Sequence, residues 1–171
     1  MPFITNKQNW YPLFGVVYVL LLWKGGKKGR ISALIIIFII LSSDQLSAGI
    51  LKPLFLRERP CVMLENVYML IGFKISYSFP SAHAANSFTT ATFFAFLYPK
   101  GKLVYFILAS LVGFSRVYVG VHYPFDVLAG ALLGSGCAYV GIYVFSLLAK
   151  SNFWNHKKIK FKRDLKKLPN E

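Results

Sequence analysis

The sequence predicts an all-α integral membrane protein: a bundle of about five transmembrane helices, six possible, with an interfacial helix in the outer loop. Three observations predict it. Hydrophobic residues make up 56% of the 171 and charged residues only 15%, with a mean hydropathy of +0.51; soluble domains carry roughly 25% charge. The apolar residues fall in runs near the length of a helical span, about 20 residues with shorter ones tolerated. The basic residues collect between and after those runs rather than inside them.

Five runs are predicted as spans: Trp10–Trp23, Ile31–Leu51, His83–Tyr98, Leu103–Val117 and Phe125–Ala149. Trp10, Trp23 and Trp154 fall at span ends, where amphipathic rings favour the membrane–water interface. Orientation follows from lysine and arginine. The loop 24–30, the turn 99–102 and the tail after Ala149 hold fourteen of the twenty basic residues. With five spans these regions share one side, expected to be the cytoplasm. The predicted organisation is one transmembrane domain over residues 1–171, with a basic cytoplasmic tail at 151–171. That tail mixes lysines with Phe153, Trp154, Ile159 and Phe161, the composition of a surface helix on anionic lipid. The outer segment 61–79 mixes Val62, Met63, Leu64, Val67 and Ile71 with polar residues, and reads as a helix lying in the interface.

A formal net charge of +14 suggests nucleic acid until its distribution is considered. Basic loops flanking apolar spans are the signature of membrane topology, so no nucleic-acid partner is expected. The multi-pass chain is expected in the cytoplasmic (inner) membrane. No cleavable leader is evident, because the run 12–23 lacks a basic region before it beyond Lys7 and a small-residue site after it.

The six basic residues outside the cytoplasmic clusters are Lys7, Lys52, Arg57, Arg59, Lys74 and Arg116. Charges kept against the topology rule point to chemistry. Three of them, Lys52, Arg59 and Arg116, are assigned to short motifs at what should be the outer face, Arg57 lying within the first: Lys52-Pro-Leu-Phe-Leu-Arg-Glu-Arg59-Pro60, then Pro80-Ser81-Ala82-His83, then Ser115-Arg116 with His122 six residues on and Asp126 four beyond. The set supplies what is needed to grip and attack a phosphate. His122 and Asp126 straddle Pro124, which suits a first helical turn; there the two side chains share a face. The carboxylate would fix the ring tautomer and free the other nitrogen as a nucleophile. His83 would protonate the leaving oxygen and later activate water. Ser81 and the amides of Ala82 and His83, at a helix start, would bind an anion. Lys52, Arg59 and Arg116 would surround the phosphoryl oxygens. Taken singly, Asp126 reads more often as a helix cap and His83 as an interfacial histidine bonded to backbone.

Arg57 and Lys74 read as snorkelling cations outside the site, and Glu58 as the partner of a neighbouring cation. Asp44, among Ser42, Ser43, Gln45 and Ser47, reads as part of a hydrogen-bond cluster facing the bundle interior. With six acidic residues and no metal-ligand spacing, neither metal nor other cofactor is expected.

The ordered pattern K-x6-RP, PS-x-H, SR-x5-H-x3-D resembles the type-2 phosphatidic acid phosphatase family, over roughly Asp44 to Gly134. The resemblance implies a lipid phosphate phosphatase. His122 would be its nucleophile, Asp126 the residue that orients it and His83 the general acid, a catalytic set of three. Lys52, Arg59, Ser81, Arg116 and the local amides, Ala82 among them, would hold the phosphate. Ala82 departs from the family, which usually has glycine there; an alanine keeps its N–H and serves if the local φ is negative. Small bacterial members include lipid A 1-phosphatases, undecaprenyl diphosphate phosphatases and phosphatidylglycerophosphate phosphatases. The expected partner is thus a membrane lipid phosphate, lipid A 1-phosphate first among the candidates. The rival from another class is a lipid-phosphate binding or transport protein without turnover.

Overall fold

The computed structural model describes residues 9, 11–65 and 76–165. Helices α1 (Tyr11–Trp23) and α2 (Gly26–Asp44) form a hairpin across Lys24 and Gly25. The α2 rod continues as a π-helical stretch, Gln45–Leu51, and then α3 (Lys52–Phe55). A short α4 (Pro60–Met63) follows; α5 (Ala82–Leu97), α6 (Lys102–Tyr118) and α7 (Pro124–Leu165) complete the bundle. Each predicted span coincides with a helix, the first and third with short ones of 13 and 16 residues. Of the interfacial helix predicted over 61–79, residues 66–75 lie outside the described residues; the described part is helical only in α4, which ends in extended backbone at Leu64, and 76–79 are not helical.

Three stretches are long and apolar enough to cross a membrane: Gly26–Met63, Pro99–Tyr118 and Pro124–Lys150. Helix α5 is shorter, at 16 residues, and carries Asn86, Ser87, Thr89, Thr90 and Thr92. Its polarity is tolerable because α5 is central, packed chiefly on α7, then on α6 and α2. The bundle reverses the pattern of a water-soluble core. Ser32, Ser43, Ser47, Thr89 and Thr92 are buried, while Phe38, Leu54, Leu103, Phe114, Leu132 and Tyr143 are exposed. Lipid solvates the large apolar side chains, so close packing of small residues holds the helices together. An apolar cluster of Ile35, Ile36, Ile39, Phe93, Leu97, Ala138 and Phe145 joins α2, α5 and α7. It lies toward the end of α5 remote from Ala82, about 1.5 Å of rise separating each residue from the next.

Helices α5 and α7 approach until their backbones touch. A Cβ on Gly130 would come within 2.5 Å of the Ser81 carbonyl, and one on Gly134 would collide with the Ala85 backbone. The Thr89 hydroxyl donates to the carbonyls of Ala85 (2.9 Å) and Gly134 (3.0 Å), bonding across the contact. This close approach fixes the start of α5 against the start of α7.

The π-helical stretch has a local cause. Pro53 has no N–H to continue an α-helical ladder and crowds the carbonyl four residues back. The turn before it widens, and the Lys52 amide donates to the Ser47 carbonyl five residues behind. Beyond α3, Leu56 adopts a left-handed conformation (φ 47), which ends the helix and turns the chain toward Arg57 and Arg59. The polar cluster forms, with Asn86 Nδ2 donating to Asp44 Oδ1 at 2.9 Å. Its orientation differs from the expected one: Ser43 and Ser47 face the interior, whereas Asp44 lies on the exposed side of α2. The bond to Asn86 therefore joins α2 to α5 along their outer edge.

Candidate active site

The ends of α3, α5, α6 and α7 meet at one end of the bundle, and the three sequence motifs meet with them. Backbone bonds tie the motifs together. The Cys61 amide donates to the Gly120 carbonyl at 3.0 Å, and the Ser81 amide to the Asp126 carbonyl at 2.9 Å. Six side chains predicted for the site are buried there: Lys52, Arg59, Ser81, Arg116, His122 and Asp126. Ala82 and His83, in the first turn of α5, are half-buried.

The three cations occupy fixed positions. Lys52 Nζ donates to the Tyr77 carbonyl at 2.8 Å. Arg59 donates from Nε to the Ser76 carbonyl (2.7 Å), from Nη2 to the Ser76 hydroxyl (2.7 Å) and from Nη1 to the Val121 carbonyl (3.2 Å). Arg116 is buried in the last turn of α6. Residues 76–78 were not singled out as site residues from the sequence. They contribute chiefly backbone, whose acceptors carry no sequence signal.

Helix α6 ends in a glycine turn. Gly120 has φ 73, a conformation that side chains disfavour. The Val121 amide returns to the Arg116 carbonyl at 3.3 Å. The chain then carries His122 inward before Pro124 opens α7. Asp126 sits in the first turn of α7, and its Oδ2 accepts from the Tyr123 amide at 2.9 Å. Asp126 is thus a helix cap, and at the same time a charged partner: His122 Nδ1 lies 3.6 Å from Oδ2. That distance is beyond a good hydrogen bond, and His122 Nδ1 is buried without another acceptor. A small ring rotation would close the contact.

At the start of α5, Ser81 has an extended backbone (φ −74, ψ 107) and its buried hydroxyl has no hydrogen-bond partner within the protein. Ala82 is helical, and Leu56 is the only non-glycine with positive φ among the described residues. Alanine at the family's glycine position is therefore accommodated, with its N–H retained in the first turn of the helix. Such turns leave amides without intrahelical acceptors and favour anions.

The structure brings in one cation that the sequence reading left outside. Arg57 Nη1 donates to Asp126 Oδ1 at 2.8 Å, and its guanidinium lies 4.1 Å from the centre of the Tyr123 ring. The missed signal was alternation. Residues 56–59 lie between helices, and in extended chain side chains two apart point the same way. Arg57 and Arg59 therefore both turn inward. Glu58 faces solvent, and the described ion pairs do not include it. Its carbonyl accepts from the Ser78 hydroxyl at 3.0 Å. Among the described residues, the expected pairing of Glu58 with a cation is not made.

Positive charge dominates this region. Burial, and to a lesser degree the charges of Arg59, Lys52 and Arg116, push the His122 imidazole down to about 4, although Asp126 pulls it upward. His122 is therefore neutral at pH 7, with a lone pair to donate.

The sequence model of the PAP2 superfamily matches residues 32–150, which include all three motifs. The chain is 35% identical over 142 residues to the lipid A 4'-phosphatase of Bacteroides thetaiotaomicron, 78% of this chain and 63% of that protein. It is 33% identical over 147 residues to the undecaprenyl-diphosphatase of Sulfolobus acidocaldarius, 85% of this chain and 69% of the relative. The fold is similar to the crystal structure of Aquifex aeolicus LpxE, with a TM-score of 0.57 and 31% identity, covering 78% of this chain and 77% of that one. A family match across most of the chain, with the fold it implies, makes this protein a member of the PAP2 superfamily.

Proposed function

We propose that the protein is a metal-independent phosphatase that removes phosphate from a lipid phosphate or diphosphate headgroup through a phosphohistidine. One observation carries the reading. A buried, neutral imidazole lies beside a buried carboxylate, among cations that would offset charge on a phosphoryl group. A protein that only bound the phosphate would need the cations and not the histidine–aspartate pair.

In the proposed reaction, Asp126 faces Nδ1 of His122 and the other ring nitrogen, Nε2, attacks phosphorus. A P–N bond forms, the P–O bond to the lipid breaks, and His83 gives its proton to the leaving oxygen. His83 then takes a proton from water, whose oxygen attacks phosphorus; the P–N bond breaks, its electron pair returns to Nε2 of His122, and inorganic phosphate is released. Lys52, Arg59, Arg116, Ser81 and the first amides of α5, Ala82's included, hold the phosphoryl oxygens throughout. No group of three His, Cys, Asp or Glu side chains that could hold a metal comes together among the described residues, so the cations are given the metal's usual role.

Substrate and orientation belong to the same proposal. Beside Arg57, Phe55 and Phe79 line an open cavity of about 320 Å³, their ring centres 4.7 Å apart. An acyl or prenyl chain could rest on this apolar rim while its headgroup enters the cationic end. The basic loops and the 151–171 tail would face the cytoplasm and the tail would lie against anionic lipid. The site would then open at the outer, periplasmic face of the cytoplasmic membrane. A lipid A phosphate is the preferred substrate, position 1 first and position 4' second, with undecaprenyl diphosphate or phosphatidylglycerophosphate as alternatives.

The test is phosphate release by the purified full chain in excess EDTA. The panel is lipid A phosphorylated at position 1 or at 4', undecaprenyl diphosphate, phosphatidylglycerophosphate and phosphatidic acid. Full activity in chelator is expected, with one lipid well ahead of the others. Activity that needs added Mg²⁺ would refute the metal-free chemistry; binding without release would leave only the transport reading.

The pH dependence provides a second check. His122 attacks only when neutral, so kcat/KM should fall on acidification as His122 takes up a proton. With the imidazole held near 4, rather than at the usual value of about 6.5, that loss belongs below pH 5. The profile is read after the ionisation of the substrate phosphate is divided out. An enzyme-derived acid limb centred near pH 6.5 would contradict the buried, neutral nucleophile.

A further inference from the structure

We infer that Arg57 is a positioning residue for the reaction, acting through Asp126 on His122 rather than on the phosphate. This rests on the reading of His122 as nucleophile and Asp126 as the residue that orients it. The two oxygens of Asp126 are held separately. Arg57 Nη1 binds Oδ1 at 2.8 Å, and the Tyr123 amide binds Oδ2 at 2.9 Å. With both bonds in place the carboxylate cannot rotate, and Oδ2 stays turned toward His122 Nδ1. Remove the guanidinium and a single backbone amide remains, about which the carboxylate can swing.

Arg57 is built for this task. Its guanidinium rests over the Tyr123 ring at 4.1 Å, a cation–π contact with the residue whose amide caps the same carboxylate. Its own carbonyl accepts from the Ser78 amide at 2.7 Å, pinning the loop. Its side chain is 40% exposed, whereas Asp126 is fully buried. Lys52 and Arg59 are both buried and bonded to other carbonyls. Arg57 thus stands at the rim and behind the carboxylate, where it completes the histidine–aspartate arrangement from outside.

The experiment compares Arg57→Ala, Arg57→Gln and Arg57→Lys with the wild type on the preferred lipid. Arg57→Ala should lower kcat about 10- to 100-fold, the scale of a misplaced reacting group, with KM changed less than about twofold. Arg57→Lys should recover most of the loss and Arg57→Gln little. Competitive inhibition by inorganic phosphate should be unchanged in all three, which also reports a folded cradle. In an Asp126→Asn background the added Arg57→Ala should change kcat by less than about threefold, since residues acting as a unit are not additive. A raised KM or weakened phosphate inhibition at constant kcat would overturn the inference, because Arg57 would then grip the phosphate. Unchanged activity, or full multiplication of losses in the double variant, would overturn it too. Absence of turnover in the wild type, or normal turnover in His122→Ala, would refute the underlying reading instead.

Discussion

His122→Ala is expected to abolish phosphate release, lowering kcat by at least about 10⁴-fold, as loss of a covalent nucleophile does. The imidazole is buried between Asp126 and the cationic cluster, where alanine leaves nothing to accept the phosphoryl group and water lacks a base at that point. His83→Ala should behave differently. Attack by His122 remains possible, while departure of the lipid oxygen and hydrolysis of the P–N bond both lose their proton carrier. A slowly cleared phosphoenzyme, or a rate near zero, is expected. Samples from ³²P-labelled lipid quenched in alkaline denaturant, which leaves a P–N bond intact, separate the two: label retained in His83→Ala, none in His122→Ala. Normal turnover of His122→Ala would eliminate the covalent mechanism.

Gly134→Ala is expected to have the largest effect of any substitution away from the chemistry. A Cβ there meets the Ala85 backbone, which cannot rotate aside as a side chain can. Helices α5 and α7 must separate, straining the bond from Thr89 to the Gly134 carbonyl and shifting Ser81 relative to Asp126, whose backbones are bonded. Overpacking of this kind costs about 1–3 kcal/mol, and the shift reaches the site. The expected result is a lowered thermal midpoint in detergent together with depressed kcat. Gly136 is two residues on, with nothing within 4 Å of its Cβ position. Gly136→Ala should be neutral or more stable by up to about 1 kcal/mol, since alanine favours the helix. Equal behaviour of the two variants would mean that the α5–α7 contact is looser than described.

Much of this arrangement was readable from residue type and order. The long helices follow from the apolar runs, and the meeting of Lys52, Arg59, Ser81, Arg116, His122 and Asp126 follows from motifs placed at consecutive span ends. Arg57 was misassigned because a cation at a span end usually snorkels. Only the reversal at Leu56 and the extended chain after it show that Arg57 shares a side with Arg59. Glu58, between them, is turned outward and pairs with no cation among the described residues. Asp44 found its hydrogen bond, but on the exposed edge of α2, because the expected inward cluster was read without knowing which face meets α5.

The sequence by itself determined the solvent, the helices and the chemical inventory of the site. Hydropathy, span length and charge placement are properties of composition and order, and a bilayer admits few ways to satisfy them. The tertiary structure alone decided which charges face one another. The widened turn before Pro53, the glycine turn at Gly120 and the backbone contact at Gly134 set the rotation and depth of each helix end. Side-chain direction depends on those rotations, and distant segments supply the acceptors that hold Lys52, Arg57 and Arg59 in place.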